Sequence, residues 1–343
     1  MKYNYLFSLA YFILCCSCQS SENKAPAPLN LAPLIQPIDK NSFYTESGYS
    51  TWDGNLFKES DSYYLVYSRW KSKGGNWLTT SEVCLAKSSH LAGPYKYEKV
   101  LLKGRGPGYW DELNAHNPKL KKFKGKYYLY YISSQSGPTR MHVRDSQRTG
   151  VAVADSLMGP YKRQGKPVVE PSHPVNNITV NPGVSIGPDG RCVMILKGDK
   201  KAKKPNERMS QRVQGIALAD SPLGPFVIQP KLAISGIDTE DASLWYDKKR
   251  ACYFAIYHAH HHIGIIRSKD GINWAPPINS KVMKKKIMGK DGKIIRLNCI
   301  ERPFVFFENG EPAALCISVR RGNNYNTGSC LIIPLKKSSQ QSR

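Results

Sequence analysis

Acidic residues are scarce in this chain of 343 residues: 26 Asp and Glu stand against 50 Lys and Arg, a formal net charge of +24. A charge excess of this size predicts an anionic partner, namely a nucleic acid, a membrane surface or an acidic polysaccharide. The sequence has no helix-turn-helix, zinc-finger or RNP signature, so we expect no nucleic-acid binding. The six cysteines after residue 18 follow no zinc spacing, and we predict neither a metal nor a cofactor.

A long apolar run is also missing. The apolar segment 6–14 is too short to span a bilayer as a mature helix, but it suits a signal peptide. Cysteines follow it, so residues 1–18 are predicted to be a lipoprotein-type signal peptide, lipidated at Cys16 or Cys18. We therefore expect export to the periplasm or cell surface, with a lipid anchor in the outer membrane. Residues 19–44 are predicted to be a Pro-rich tether, and residues 336–343 a polar tail.

Amphipathic helical patterns are absent, whereas strand-like segments recur at a regular interval. Apolar and aromatic strand cores begin at Tyr63, Tyr127, Cys192, Cys252 and Ala313, which are 64, 65, 60 and 61 residues apart. Short strands separated by Gly, Pro and Asp turns are typical of antiparallel sheets. Five such units predict an all-β protein, a five-bladed β-propeller of four-stranded antiparallel blades over residues 45–335.

A polar or charged residue precedes each strand core by ten or eleven positions. These residues are Asp53, Asn117, Asn181, Asp241 and Arg302. In a propeller the five positions converge at one end of the axis, and the neighbouring residues include the ionisable His116, Glu240 and Glu301. The pattern predicts a polar ring that forms a catalytic site. The alternative is that Asp and Asn only cap the turns at which strands start.

The repeats and the heads WDG, HNP, NP, EDA and ERP resemble the five-bladed propeller glycosidases of glycoside hydrolase families 43, 32, 62, 117 and 130. This resemblance implies a catalytic base in the first blade, a carboxylate that tunes its partner's pKa in the third, and a general acid in the fourth. By position, Asp53 corresponds to the base and Glu240 to the acid. The third blade offers Asn181 in place of an aspartate, so the chain departs from the usual hydrolytic triad, for which Asp241 or Glu301 could substitute.

The connections that follow the strand cores are predicted to lie at the same end as the ring. The fourth, IYHAHHHIGIIRS, contains His258 and His260, and the other connections are basic. Histidines 258, 260 and 262 would share one strand face as a zinc site, but a tight turn breaks that alternation and the basic surroundings oppose a cation. We favour a role in substrate contact or proton transfer, with a zinc site and a solvated turn as alternatives.

Two enzyme reactions and one non-catalytic role fit these residues. The predicted catalytic residues are Asp53, His116, Glu240, Asp241, His258 and His260; the predicted substrate-binding residues are Arg69, Asn117, Asn181, Glu301, Arg302, Arg144 and Arg320. Elimination at a uronic acid, by a lyase or dehydratase, is slightly favoured over exo-hydrolysis, and the third reading is a carbohydrate-binding propeller. The expected substrate is an anionic oligosaccharide, uronate-rich or sulfated and ulvan-like. We expect a monomer whose only membrane contact is the lipid anchor.

Overall fold

The computed structural model describes residues 28–202, 211–320 and 326–336. The predicted signal peptide, the start of the predicted tether and most of the polar tail lie outside these residues. Within them, no helix is long and apolar enough to cross a membrane. The six cysteines that follow the predicted leader are all buried as free thiols.

Twenty-two strands and one short helix make up the described chain. In order, the strands are β1 Phe43–Tyr44, β2 Tyr49–Glu59, β3 Ser62–Lys71, β4 Glu82–Ser88, β5 Lys96–Leu102, β6 His116–Phe123, β7 Lys126–Ser133, β8 Arg148–Ala154, β9 Lys162–Arg163, β10 Asn176–Ile186, β11 Cys192–Asp199, β12 Arg212–Ala219, β13 Val227–Ile234, β14 Thr239–Asp247, β15 Cys252–Ala259, β16 His262–Ser268, β17 Lys281–Lys284, β18 Lys286–Met288, β19 Ile294–Arg296, β20 Cys299–Glu308, β21 Glu311–Arg320 and β22 Gly328–Pro334. Helix α1, Arg140–Asp145, lies between β7 and β8. Two 3-10 turns, Ala32–Leu34 and Lys40–Ser42, precede the first strand.

The strands form five antiparallel four-stranded sheets, which confirms the predicted five-bladed propeller. In chain order the sheets are β2–β5, β6–β9, β10–β13, β14–β17 and a last sheet in the order β20, β21, β22, β1. Strands β2, β6, β10, β14 and β20 are the innermost, and neighbouring innermost strands contact one another around a closed ring. The recurrent strand cores of the sequence are the second strands, β3, β7, β11, β15 and β21.

Five apolar clusters fill the five interfaces between adjacent blades. Between blades one and two, for example, Val66 and Leu85 pack against Leu129 and Tyr131. The other four interfaces are filled in the same way by alternating strand residues. Because burying one such side chain contributes about 1.5–3 kcal/mol, these interfaces supply the main stabilisation of the ring.

The amino-terminal segment closes the propeller. Strand β1 pairs with β22, with Phe43 opposite Leu331 and Tyr44 opposite Cys330, and so completes the last blade. Upstream of it, Leu29 and Leu31 are buried with residues of blades four and five. Residues 28–44, predicted to belong to a tether, therefore pack on the propeller because their few apolar side chains are buried there.

Candidate active site

Every innermost strand has a β-bulge near its start, and the bulge residue is the polar residue singled out by the sequence. Asp53, Asn117, Asn181, Asp241 and Arg302 have φ angles of 53°, 51°, 55°, 70° and 54°. The ladder register shifts at each of these points. Asn and Asp tolerate this left-handed region, whereas an arginine there is strained. Residues with positive φ angles that repeat in all five blades are typical of a functional site.

These five residues, which we call the axial ring, contact one another or their direct neighbours. The amides of Asn117 and Asn181 lie 2.7 Å apart, and Nδ2 of Asn181 donates to Oδ1 of Asp241 at 2.8 Å. The guanidinium of Arg302 pairs with the same carboxylate, and its backbone N–H donates to Oδ2 at 3.2 Å. Asp53 bonds instead to Nζ of Lys119, at 2.5 Å. The structure thus brings residues from all five blades to one end of the axis.

The residue before each bulge forms a second layer toward the end of the axis. This layer contains Trp52, His116, Val180, Glu240 and Glu301, and the residues opposite them on the second strands are Ser68, Ile132, Lys197, His258 and Ser318. The two serines hold the ring: Oγ of Ser318 accepts from the backbone N–H of Asp53 at 2.7 Å, and Ser68 accepts from Asn117 at 2.8 Å. The ionisable groups of the layer are therefore concentrated in blades two to five.

Glu240, predicted to be the general acid, is held as a carboxylate. Nζ of Lys197 lies 2.6 Å from Oε2, and Arg212 pairs with Oε1. Burial by itself would raise the pKa of Glu240, but the charges of Lys197, Arg212 and Arg302 outweigh it and hold the pKa well below its usual range. A carboxylate in this environment cannot carry a proton at neutral pH.

His258 shows the opposite shift. Its Nδ1 lies 3.6 Å from Oδ2 of Asp241, slightly beyond ordinary hydrogen-bond length, and its ring is buried. Burial disfavours the charged imidazolium, but Asp241, Glu301 and Glu240 overcome that effect and raise the pKa above 6.5. The carboxylates around His258 therefore favour its protonated form.

His116 sits in an aromatic part of the second layer. Its ring centroid is 5.7 Å from that of Trp70 and 5.6 Å from that of Trp77, and Trp52 packs against Trp70. Burial, followed by the charges of Arg302 and Lys119, holds the pKa of His116 well below 6.5. Its Nε2 lies 3.0 Å from the Asn117 amide, whereas Nδ1 has no hydrogen-bond partner among the described atoms. His116 is a neutral imidazole.

Asp53 lies at the base of the site and is only 1% exposed. Burial raises the pKa of its carboxyl group, and Lys119 and Arg302 oppose that shift without cancelling it. A buried carboxylate with a raised pKa is a stronger base than one in water.

Three residues predicted to belong to the site make their contacts away from the axial ring: Arg69, Arg144 and His260. Arg69 pairs with Glu46 and Glu82 and stacks on Tyr49 and Tyr97, because it points to the opposite side of β3 from Ser68. Arg144 in α1 makes two bonds of 2.6 Å with the buried Asp199.

His260 lies in the two-residue turn after β15, where it bonds to Asp238 at 2.8 Å and its side chain is about half exposed. Because this turn separates it from His258, the histidines at 258, 260 and 262 do not share one strand face. Arg320 does lie beside the second layer, 3.8 Å from Glu301.

Several residues of the site were not predicted from the sequence. Lys119, Lys197 and Arg212 occur inside strands, where nothing in the local pattern distinguishes them from solvent-facing lysines and arginines. Their roles depend on contacts made between strands and blades. Trp52 is the first residue of the WDG head, Trp70 lies at the end of β3, and Trp77 lies in the connection after it. Their aromatic character near a predicted ring was an available signal.

Among the described residues, one group of three could converge on a metal ion: Glu240, Asp241 and His258. The donor types suit a divalent cation, but both carboxylates are already paired with Lys197, Arg212 or Arg302. A cation placed there would face these positive charges, so the residues fit proton transfer better than metal binding.

The chain is similar to known proteins in its fold but matches none of them by sequence. No protein-family model and no curated protein sequence matches the chain. Among solved structures, it is similar to a family 117 glycoside hydrolase from the marine bacterium Zobellia galactanivorans, with 19% identity over 88% of this chain and 87% of that one, and a TM-score of 0.61.

Two further solved structures are similar over most of their length. A family 43 β-xylosidase/α-arabinofuranosidase from a compost microbial metagenome has 16% identity, coverage of 89% and 95%, and a TM-score of 0.61. An endo-arabinase from Bacteroides thetaiotaomicron has 15% identity, coverage of 88% and 98%, and a TM-score of 0.56. At this level of identity the likeness establishes a shared five-bladed propeller fold.

Proposed function

We propose that this protein is a carbohydrate-active enzyme that hydrolyses a glycosidic bond of an anionic oligosaccharide at the axial ring. The fold it shares with several solved glycoside hydrolases supports the reaction class. The convergence of carboxylates, imidazoles and basic groups in one site supports turnover over binding alone.

The observation that carries the proposal is the opposite pKa shift of Glu240 and His258. Hydrolysis needs an acid that is protonated at the working pH and a base that is not. Lys197 and Arg212 keep Glu240 ionised, whereas Asp241 and Glu301 favour the imidazolium of His258. His258 therefore protonates the leaving oxygen, and Glu240 stabilises that imidazolium. This assignment replaces the predicted role of Glu240 as acid.

Asp53 is the proposed base. It belongs to blade one, which is not adjacent to blade four, so it approaches the axis from a different side than His258. Burial raises its pKa, and Lys119 holds one of its oxygens in place. In this arrangement Asp53 takes a proton from the attacking water while His258 gives one to the leaving group.

The substrate class follows from the surroundings of the ring. The cations next to it are paired with carboxylates. Exposed basic residues nevertheless lie at the same end, at the end of β3 and on the connections: Lys71, Lys73, Arg140 and Lys200. These charges favour an anionic ligand. The half-buried Trp77, with the Arg140 guanidinium 5.9 Å from its ring, offers an apolar face on which a sugar ring can stack.

Elimination at a uronic acid is the second candidate, and His116 favours it. A neutral, buried imidazole with a partnerless Nδ1 suits the removal of the C5 proton of a uronate. His258 would then protonate the oxygen leaving C4. The two candidates share their acid and differ in their base.

Product analysis distinguishes the candidates. The protein is incubated with a panel of uronate-containing oligosaccharides, and the products are followed by mass and by the ultraviolet absorbance of an unsaturated uronate. Hydrolysis adds one water and creates a new reducing end without that absorbance. A rise in absorbance, lost in His116→Gln but retained in Asp53→Asn, would instead establish elimination. Tight binding without any product would leave only a carbohydrate-binding role.

The location is a further part of the proposal. We propose that the protein is exported and lipid-anchored at the outer membrane through Cys16 or Cys18, and that it acts as a monomer. These cysteines lie outside the described residues, so the support is the sequence of the leader. Serine at both positions should abolish the incorporation of labelled fatty acid into the protein, and incorporation that persists in the variant would contradict the anchor.

A further inference from the structure

A two-stranded hairpin is inserted between blades four and five, away from the chain segments that form the ring. It consists of β18 and β19, and it follows directly after β17. The stretch from β17 to β19, KVMKKKIMGKDGKIIR, carries seven basic side chains and one acidic side chain, Asp291. None of these basic residues belongs to the proposed active site.

The hairpin has two different faces because side chains alternate along its strands. On the inner face, Ile287 is buried among residues of blades four and five, and Ile295 packs against the same cluster. The outer face carries Lys286, Met288, Ile294 and Arg296. Met288 is 43% exposed and Ile294 is 55% exposed.

The pairing on the outer face does not serve the stability of the fold. Lys286 lies directly opposite Arg296 in the ladder, and like charges in this position are destabilising. Met288 lies opposite Ile294, so the adjacent pair exposes two large apolar side chains to water. A cationic pair next to an apolar pair is typical of surfaces that bind at the boundary between lipid headgroups and acyl chains.

The amino-terminal segment, which pairs with β22, also contacts the hairpin. The backbone N–H of Lys290 donates to the carbonyl of Ile38 at 2.8 Å, and Ile38 donates to Met288 at 3.0 Å. Leu29 and Leu31 are buried in the cluster that contains Ile287. The nine residues between a lipidated Cys18 and Pro28 reach at most about 30–35 Å when fully extended. A lipid anchor would therefore hold this hairpin near the bilayer surface.

We propose that the outer face of the β18–β19 hairpin docks on an anionic phospholipid surface. Lys286 and Arg296 contact the headgroups, while Met288 and Ile294 enter the boundary with the acyl chains. The predicted anchor limits the distance from the membrane, and the hairpin sets the orientation of the propeller on it. A soluble acidic polysaccharide would match the charges but would leave the exposed apolar pair without a role.

Vesicle sedimentation tests the proposal. The full chain, with serine at Cys15, Cys16 and Cys18 to prevent lipid attachment, is mixed with vesicles of phosphatidylcholine alone or of phosphatidylcholine with phosphatidylglycerol. The hydrophobic leader contributes to both, so the readout is the ratio of the two partition coefficients. Lys286→Gln/Arg296→Gln should lower that ratio about tenfold or more, since each basic residue near such a surface contributes on the order of one kcal/mol.

Two further variants keep the test decisive. Met288→Ser/Ile294→Ser retains every charge and should weaken binding to both kinds of vesicle. Lys96→Gln/Lys162→Gln removes the same charge from exposed sites on the outer strands of blades one and two, and should leave the ratio unchanged. Thermal unfolding checks the fold, and the Lys286→Gln/Arg296→Gln variant should be no less stable because it loses a repulsive pair.

Three results would contradict the proposal that the hairpin docks on lipid. An unchanged ratio in Lys286→Gln/Arg296→Gln would overturn the proposal, as would an equal loss in the control variant, which would mean that net charge alone drives binding. Binding of soluble polygalacturonate that depends on Lys286 and Arg296, without enrichment on phosphatidylglycerol vesicles, would identify the hairpin as a polysaccharide site instead.

Discussion

Replacing Glu240 by glutamine separates the role that the structure supports from the role that the sequence predicted. The change keeps the size of the side chain and removes its charge. Lys197 then loses the carboxylate 2.6 Å away, whereas Arg212 keeps Asp238 at 2.8 Å. Breaking a buried ion pair costs about 3–5 kcal/mol. Because Lys197 is 14% exposed and Arg212 keeps a partner, we expect the lower end of this range, about 3 kcal/mol.

The destabilisation should depend on pH with a definite sign. The folded-state pKa of Glu240 is depressed below its ordinary value of 4.5, so its charge stabilises the fold above that pH. This contribution is lost as the pH falls through the folded-state pKa. Urea unfolding at pH 7 and at progressively lower pH should therefore show a stability gap between wild type and Glu240→Gln that begins to narrow near pH 4.5, where the unfolded chain takes up the proton, and closes toward the depressed folded-state pKa.

Kinetics provide the second half of this test. Glu240 is one of the anions that raise the pKa of His258, so the alkaline limb of the rate profile should move to lower pH in Glu240→Gln while still being present. Two variants serve as stability controls. Glu240→Gln/Lys197→Met should recover part of the stability that Glu240→Gln loses. Glu308→Gln, which breaks the more exposed pair between Glu308 and Lys58, should cost about 1 kcal/mol or less. A variant of wild-type stability that has lost the alkaline limb would show that Glu240 is the acid and refute this reasoning.

Three further predictions concern the other parts of the site. His258→Gln should lower kcat on the oligosaccharide by about two to four orders of magnitude, with a much smaller loss on an aryl glycoside whose leaving group needs no proton; equal losses would contradict its role as acid. Asp53→Asn should abolish hydrolysis because an amide cannot take a proton from the attacking water, and turnover retained in this variant would exclude Asp53 as base. Trp77→Ala should raise KM with little change in kcat, and an unchanged KM would remove Trp77 from the substrate surface.

The fold was largely predictable because the repeat interval and the position of the polar residue were both visible in the sequence. In all five blades, from Asp53 to Arg302, the polar residue lies ten or eleven positions before the strand core. The closing strand was not predictable in the same way. Strand β1 has two residues, Phe43 and Tyr44, in a Pro-rich context, and it is defined by its pairing with β22.

The roles of individual site residues were harder to predict, for two physical reasons. Adjacent residues on a strand face opposite sides, so a shift of one position separates Ser68, which bonds to the ring, from Arg69, which pairs with Glu46 and Glu82. Charge partners also come from different strands. The depressed pKa of Glu240 depends on Lys197 and Arg212, which lie 43 and 28 residues before it. The sequence around Glu240 does not indicate these contacts.

The most direct test of the proposed proton donor is an NMR titration of the histidine rings in the ligand-free protein, with His258 assigned through the His258→Gln variant. We expect a pKa above 6.5 for His258, a lower pKa for His258 in Asp241→Asn, and an imidazole at His116 that stays neutral well below pH 6.5. A His258 pKa at or below 6.5, unaffected by Asp241→Asn, would contradict its role as the general acid.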